Sequence, residues 1–282
     1  ILPDPGFIVE HRDRLAGLVL THAHEDHLGA VPYLWQRLQC PVYATPFPIS
    51  ILKRKLAETD FANQVEIIGV PLGGRFTVGP FDMELITLTH SIPEPNAIAI
   101  RTPVGTVLHT GDWKFDPGPV IGDAPDKEAL SKLGDEGVLA LVCDSTNVFS
   151  RHPGRSESTV GPEIEKLVAG ARGMVVATTF ASNVARVKTL AEAGERAGRS
   201  IVLLGRAMRR MIEAAVETGV LKGFPSVISP EDAGSVPREN LMLLVTGSQG
   251  ERRAASAQLA RGKYQGLTMK EGDLFLFSSK TI

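Results

Sequence analysis

The chain lacks the features that would place it in several large classes. It has 2 cysteines in 282 residues, too few for a disulfide framework, so its stability must come from burying apolar surface. Cys143 follows the apolar run Leu139-Ala140-Leu141-Val142 and reads as a buried thiol, which suits a reducing cytoplasm. No apolar run approaches the roughly 18–20 residues of a membrane-spanning helix, so no membrane partner is expected. An excess of one charge sign is also missing. The formal net charge is −2, which does not advertise a polyanion ligand, and a nucleic-acid enzyme with this balance must concentrate positive charge locally. Glycine-rich phosphate loops of the dinucleotide or P-loop kind are absent. So is a Gly-x-Ser-x-Gly nucleophile elbow, which argues against serine-hydrolase chemistry. What remains is ample core material: 43% hydrophobic residues can fill one large core or two medium ones.

The densest chemical signal is His22-Ala23-His24-Glu25-Asp26-His27. Residues 15–21 before it form a short apolar run that reads as a buried strand. After it, Leu28, Val31, Leu34, Trp35 and Leu38 recur at helical spacing. The cluster therefore belongs to a strand-to-helix turn, where open α/β folds place their sites. His22 and His24, two apart on extended backbone, point the same way and can grip one cation. Asp26 and His27 are carried onward by the helix start towards a second. Neutral imidazole with carboxylate suits zinc or manganese better than calcium or magnesium. The plain alternative is a solvated, charged loop.

Further motifs arrive in a telling order. Thr89-His90-Ser91 follows the alternating strand Met83-Glu84-Leu85-Ile86-Thr87-Leu88, and Thr110-Gly111-Asp112-Trp113-Lys114 follows Thr106-Val107-Leu108-His109. His-x-His-x-Asp-His with these two later pieces resembles the metallo-β-lactamase fold. By that resemblance His22, His24 and His90 hold one metal, Asp26 and His27 hold the other, and Asp112 lies between them. A two-oxygen carboxylate can bridge two cations, whereas an imidazole normally cannot. The strand 139–143 ending in Asp144-Ser145-Thr146-Asn147 resembles the first motif of the β-CASP branch, whose members process nucleic acids. Thr179-Phe180-Ala181-Ser182-Asn183 and Thr246-Gly247-Ser248-Gln249-Gly250-Glu251 are similar to the bacterial ribonuclease J group. The resemblance makes Asp144 a partner of the metal ligands rather than a main ligand. Asp-Ser-Thr-Asn is equally good turn and N-cap chemistry, and both roles can hold at once.

The implied organisation is α/β: a metallo-β-lactamase αββα sandwich over residues 1–149, then a β-CASP domain over 150–282. In the second half, apolar strands 174–178, 200–204 and 241–245 alternate with helical stretches, which predicts a mostly parallel sheet. Loops 179–183, Gly205 and 246–247 then share the carboxyl edge of that sheet, where N–H groups can face a phosphate. Phe180, Ser182, Asn183, Arg206 and Gln249 are the candidate RNA contacts. The basic clusters Lys53-Arg54-Lys55, Arg206 with Arg209-Arg210, and Arg252-Arg253 read either as tracks for an RNA backbone or as exposed helix faces. His109 reads as a packed imidazole, and His11 and His152 as solvated ones. The chain begins Ile1-Leu2-Pro3 without Met and stops just after the strand-like 274–277. The second metal group also lacks the last histidine that the resemblance implies, so a fragment lacking both ends is expected.

The resemblance implies a binuclear metal-dependent ribonuclease, combining 5′-to-3′ exonuclease and endonuclease action in the cytoplasm. It would use two divalent ions, zinc by ligand set with manganese or magnesium as alternatives. Its substrate would be single-stranded, 5′-monophosphorylated RNA. Asp26 and Asp112 would position the attacking water, and a homodimer is compatible. Two other readings stay open: a small-molecule hydrolase (lactamase, lactonase or thioesterase) on the same centre, and a non-catalytic RNA-binding scaffold. The second lobe weighs against the first and the intact metal run against the second.

Overall fold

The computed structural model describes residues 2–151, 154–262, 264 and 266–279. The chain divides into two compact units, Ile1–Arg155 and Ser156–Ile282.

In the first unit the elements run α1 (Gly6–Glu10), β1 (Leu18–Val19), α2 (Glu25–Leu28), α3 (Val31–Leu38), β2 (Val42–Ala44), α4 (Pro46–Leu56), β3 (Ile67–Gly69), β4 (Arg75–Val78), β5 (Phe81–Thr87), β6 (Asn96–Thr102), β7 (Gly105–His109), α5 (Lys127–Glu136) and β8 (Ala140–Val142). Parallel strands make a small sheet, β1-β2-β3, and a second sheet runs β4-β5-β6-β7-β8, antiparallel except for the β7/β8 pair. The period-2 alternation of β5 explains how the layers stack. Met83 and Leu85 join Val70, Val78 and Ile98 in a core that also takes in Val19 and Tyr43 of the small sheet. Ile86 points the other way, into a core with Ala97, Ala99 and Leu133 that holds α5 against the larger sheet. On the far side of the small sheet, α4 buries Phe47, Leu52 and Leu56. This is the αββα sandwich that the motifs imply.

The helix expected after the histidine run is broken in two: α2 ends at Leu28 and α3 starts at Val31. Cys143 requires a correction. It directly follows β8, the edge strand of the sheet, which pairs with β7 alone among the described residues and is exposed along its length; the thiol is exposed, and Cys40 is the buried one. Apolar sequence predicted burial, but an edge strand with an uncovered face does not provide it. Both cysteines are free. Among the described residues no helix is long and apolar enough to cross a membrane.

The second unit contains α6 (Gly161–Gly170), β9 (Val175–Thr178), α7 (Val184–Arg196), β10 (Ser200–Leu204), α8 (Arg206–Glu217), β11 (Leu241–Val245), α9 (Ala255–Ala260) and β12 (Leu274–Phe277). Its sheet, ordered β10-β11-β9-β12, is parallel throughout, as the strand–helix alternation predicts. These strands are apolar on both faces because helices cover both. Val176, Val202, Leu243 and Val245 face Ala255 and Leu259 of α9. On the opposite face α7 lies so close that a Cβ at Gly194 would sit 2.4 Å from Ile201 and 2.7 Å from Met242.

Candidate metal centre

The first histidine of the run follows β1 directly. His22 is fully buried, and its Nδ1 lies 2.9 Å from Thr21 Oγ1. That contact leaves Nε2 to face the site, where it is buried without a hydrogen-bond partner. His24 precedes the first turn of α2, and Asp26 and His27 lie inside that helix. His90 follows β5, and Asp112 follows β7.

Three contacts bring these loops together. Gly111 takes φ +57°, and a Cβ there would lie 3.0 Å from Thr21 Cβ and 3.2 Å from Asn96 O. The absence of a side chain is what allows the Asp112 loop to close on the end of β1. Thr89 clamps the same loop to the His90 turn. Its hydroxyl donates to Lys114 O and accepts from Asp116 N at 2.9 Å, while Lys114 N donates to Thr89 O at 2.7 Å. The third is the bond from Asn96 N to Thr21 O, 3.1 Å, which ties the start of β6 to the residue preceding His22.

The side chains converge as two groups with one member in common. His22, His24, His90 and Asp112 bring one ligand atom each within 4.8 Å of one another, and so do Asp26, His27 and Asp112. Asp112 Oδ2 lies 3.9 Å from His22 Nε2 and 3.7 Å from His90 Nε2, while its Oδ1 lies 3.3 Å from His27 Nε2. Asp26 Oδ2 is 3.5 Å from the same His27 nitrogen. Each oxygen of Asp112 thus faces a different group.

Burial sets the protonation of the first group. Desolvation, reinforced by the neighbouring imidazoles, lowers the His22 pKa to about 2. Desolvation and repulsion from His90 lower His24 to about 4. For His90 desolvation again outweighs the attraction of Asp144, and its pKa is about 4. Three neutral rings with free nitrogens beside a carboxylate form a ligand set for a divalent cation. The orphaned His22 Nε2 provides an independent test of fit. A buried acceptor without a partner costs about 1–3 kcal/mol, and a cation taking its lone pair removes that cost. Fold and cluster together mark a divalent-metal site.

The remaining expected residues divide between the units. Asp144 is held by Thr146, whose N–H and hydroxyl donate to Oδ1 at 2.8 and 2.6 Å. Burial pushes its carboxyl pKa up, but those two bonds and the His90 charge outweigh that and lower it. It therefore fills the turn role and acts electrostatically on His90. His109 is half-buried in β7, with Nδ1 3.5 Å from Gly111 N, and His11 is exposed; His152 lies outside the described residues. In the second unit Asn183 caps α7 by accepting from Arg186 N at 3.0 Å, and Phe180 and Ser182 are half-buried in the same loop. Gln249 N donates to Glu251 Oε2 at 2.9 Å, and Arg206 opens α8. Thr178, Thr179 and Ser248, buried at the carboxyl ends of β9 and β11, have hydroxyls without partners. In the Lys53-Arg54-Lys55 cluster, Arg54 bonds Ser50 and Lys55 pairs with Glu25, which weakens the case for an RNA track there.

Sequence reading missed Thr21, Thr89, Asn96 and Gly111 as organisers of the centre. A threonine precedes both His22 and His90, which was a usable hint, whereas the Gly111 and Asn96 contacts are long-range and leave no local trace. Trp113 and Phe115, beside Asp112, were also missed; they are 37% and 43% exposed and offer aromatic surface next to the centre.

Comparison with known proteins agrees with this geometry. Residues 5–170 match the family model described as metallo-beta-lactamase superfamily, and residues 172–282 match the one described as ribonuclease J, beta-CASP domain. The chain is 44% identical over 282 residues to ribonuclease J of Sinorhizobium meliloti, covering 100% of this chain and 50% of the relative. It is 41% identical over 286 residues to ribonuclease J of Mycolicibacterium smegmatis, again covering 50% of the relative. It is 35% identical over 286 residues to ribonuclease J of Helicobacter pylori, covering 41% of it. The chain thus spans about half the length of the curated relatives it matches. A crystal structure of a protein of unknown function from Enterococcus faecalis superposes with a TM-score of 0.60 at 16% identity, over 95% of this chain and 70% of that one, a likeness of fold alone. The chain belongs to the metallo-β-lactamase superfamily, and its second half is similar to the beta-CASP domain of ribonuclease J.

Proposed function

We propose that this chain carries the hydrolytic centre of a cytoplasmic ribonuclease of the ribonuclease J type, cleaving RNA phosphodiester bonds by 5′-to-3′ exonuclease and endonuclease action. The observation that carries the reading is the pair of ligand groups sharing Asp112, which suits two cations flanking one phosphate. His22, His24 and His90 would hold one divalent ion, Asp26 and His27 the other, with Asp112 between them. The imidazole-rich set favours zinc over magnesium. When bound, such ions act as Lewis acids on the phosphoryl oxygens and bring water towards ionisation near neutral pH.

The protein's own residues do the rest. Thr21 fixes the His22 ring so that Nε2 is the nitrogen presented. Burial keeps His22, His24 and His90 unprotonated at neutral pH, so their lone pairs are available. Asp26 and Asp112 accept hydrogen bonds from the attacking water and hold it in line with the scissile bond. Trp113 and Phe115 supply stacking surface for bases, which single-stranded RNA offers and a duplex withholds. In the second unit, the candidate contacts Phe180, Ser182, Asn183, Arg206 and Gln249 follow the carboxyl ends of β9, β10 and β11, an edge that suits a phosphate-bearing strand.

The test is single-turnover cleavage of 5′-monophosphorylated and 5′-triphosphorylated RNA, with zinc or manganese supplied, by the whole wild-type protein and its Asp112→Asn variant. Cleavage that favours the monophosphate and disappears in the variant is expected. Hydrolysis of a β-lactam or thioester faster than RNA would replace this reading with a small-molecule hydrolase.

A further inference from the structure

A cavity of about 460 Å³ opens in the second unit, lined by Gly205, Arg206, Thr246, Arg253, Ala255, Gln258 and Tyr264. That volume is within the range of small-molecule sites. Every lining residue belongs to Ser156–Ile282, and none is a metal-ligand candidate. The walls form where β10 and β11 end side by side, in register to Leu204 and Val245. Gly205 follows the first strand with φ +121°, and a Cβ there would meet Thr246 Oγ1 at 2.8 Å. Gly247 follows the second with φ +108°, and a Cβ there would collide with Ser256 Oγ at 2.0 Å. Glycine at both places is thus a steric requirement for these two strand-end loops, of which Gly205 lines the cavity.

The lining is chemically lopsided. Among the described residues it contains two guanidinium groups, Arg206 and Arg253, and no carboxylate. Several other cations of this unit are matched: Arg186 pairs with Glu157, Arg196 with Glu165, and Arg238 with Asp273. Arginines gathered in a concavity without counter-charge favour an anion with planar oxygen edges, and phosphate accepts such forks in bidentate fashion. The remaining wall is not built for phosphate alone. Tyr264 contributes a half-buried aromatic ring. Gln258 is fixed by a bond from its Nε2 to Arg253 O, 2.9 Å, which leaves its carbonyl oxygen and one N–H to read a polar edge.

We propose that this cavity is a nucleotide-binding pocket: Arg206 and Arg253 grip the phosphate, Tyr264 stacks on the base, and the Gln258 amide bonds the base edge. The inference extends the RNA reading through Arg206, but its test does not depend on catalysis. The ligand chemistry is a 5′-phosphorylated nucleoside, either as a free mononucleotide or as one residue of a strand.

The experiment is isothermal titration of the full chain with AMP, adenosine and inorganic phosphate, in chelator so that the metal centre cannot contribute, at low ionic strength. AMP is expected to bind at least about tenfold more tightly than adenosine, since two charge-assisted contacts depend on the phosphate. The Arg206→Ala, Arg253→Ala double variant should lose that preference. Both residues are exposed, so the fold should survive, which an unchanged melting temperature would verify. Tyr264→Leu should weaken AMP and leave inorganic phosphate unaffected, a split that mere structural damage would not give. A short single-stranded RNA that displaces AMP identifies a strand residue as the occupant; failure to displace it identifies the free nucleotide. AMP binding no tighter than adenosine, or equally tight in the double variant, would overturn the proposal. Loss of RNA hydrolysis with AMP binding intact would count against the ribonuclease reading alone.

Discussion

Replacing Thr21 by Val should damage the metal centre without touching a metal ligand. The hydroxyl of Thr21 lies 2.9 Å from His22 Nδ1, and both residues are buried. Valine keeps the branched shape that packs against Gly111 but removes the oxygen, leaving Nδ1 without a partner. An unsatisfied buried polar group costs about 1–3 kcal/mol. Taken from the state in which Nε2 is presented, that is a loss of roughly 5- to 150-fold in affinity. Losses of about 10- to 100-fold on removing the groups that orient metal-bound histidines fall in the same range. The assay is competition between the protein and a chromophoric chelator for zinc, with Thr21→Ser as the control that keeps the hydroxyl. Thr21→Ser should bind close to wild type and Thr21→Val well below it. Wild-type zinc affinity in Thr21→Val would refute the idea that this hydroxyl orients His22.

Three further outcomes follow from the same geometry. Asp112→Ala should impair both zinc-binding events in a calorimetric titration and His27→Ala mainly one; equal single-site losses would show that Asp112 is not shared. The metal-free chain should lose stability on acidification. Folded His22 titrates near pH 2 and His24 and His90 near 4, whereas an unfolded imidazole titrates near 6.5. The unfolded state therefore binds more protons below about pH 6.5, and stability drops by up to about 1.4 kcal/mol per pH unit per ring towards pH 4. A melting temperature flat from pH 7 to 4.5 in chelator would contradict this. Gly111→Ala should cost about 1–2 kcal/mol for the left-handed backbone, plus crowding against Thr21 and Asn96, and should weaken zinc binding by displacing Asp112. Unchanged melting and zinc affinity together would show that the loop does not need glycine.

The parts of this protein that could be read from sequence are those whose cause is local. The histidine run, the period-2 strand at Met83–Leu88 and the parallel strands of the second half each carry their own pattern, and each appears where expected. The exposure of Cys143 is not legible in its apolar surroundings because β8, which it follows, sits at a sheet edge, and edge position depends on the whole sheet. The break between α2 and α3 at Gly29-Ala30 went unseen because apolar spacing continued through it. The supports of the centre, Thr21 against Gly111 and Thr89 against Lys114, join residues far apart in sequence. No periodicity announces such pairs.

One carboxylate facing two ligand groups has a thermodynamic consequence. On the proposed assignment, the first ion to arrive fixes the orientation of Asp112, and the second finds that oxygen already placed. The charge of the first ion also opposes the second, so the net interaction is the balance of ordering against repulsion. Whatever its sign, it is reciprocal: each ion alters the affinity of the other by the same factor. Neither position then has an affinity of its own, and a chelator that strips one ion changes the hold on the other at the same moment.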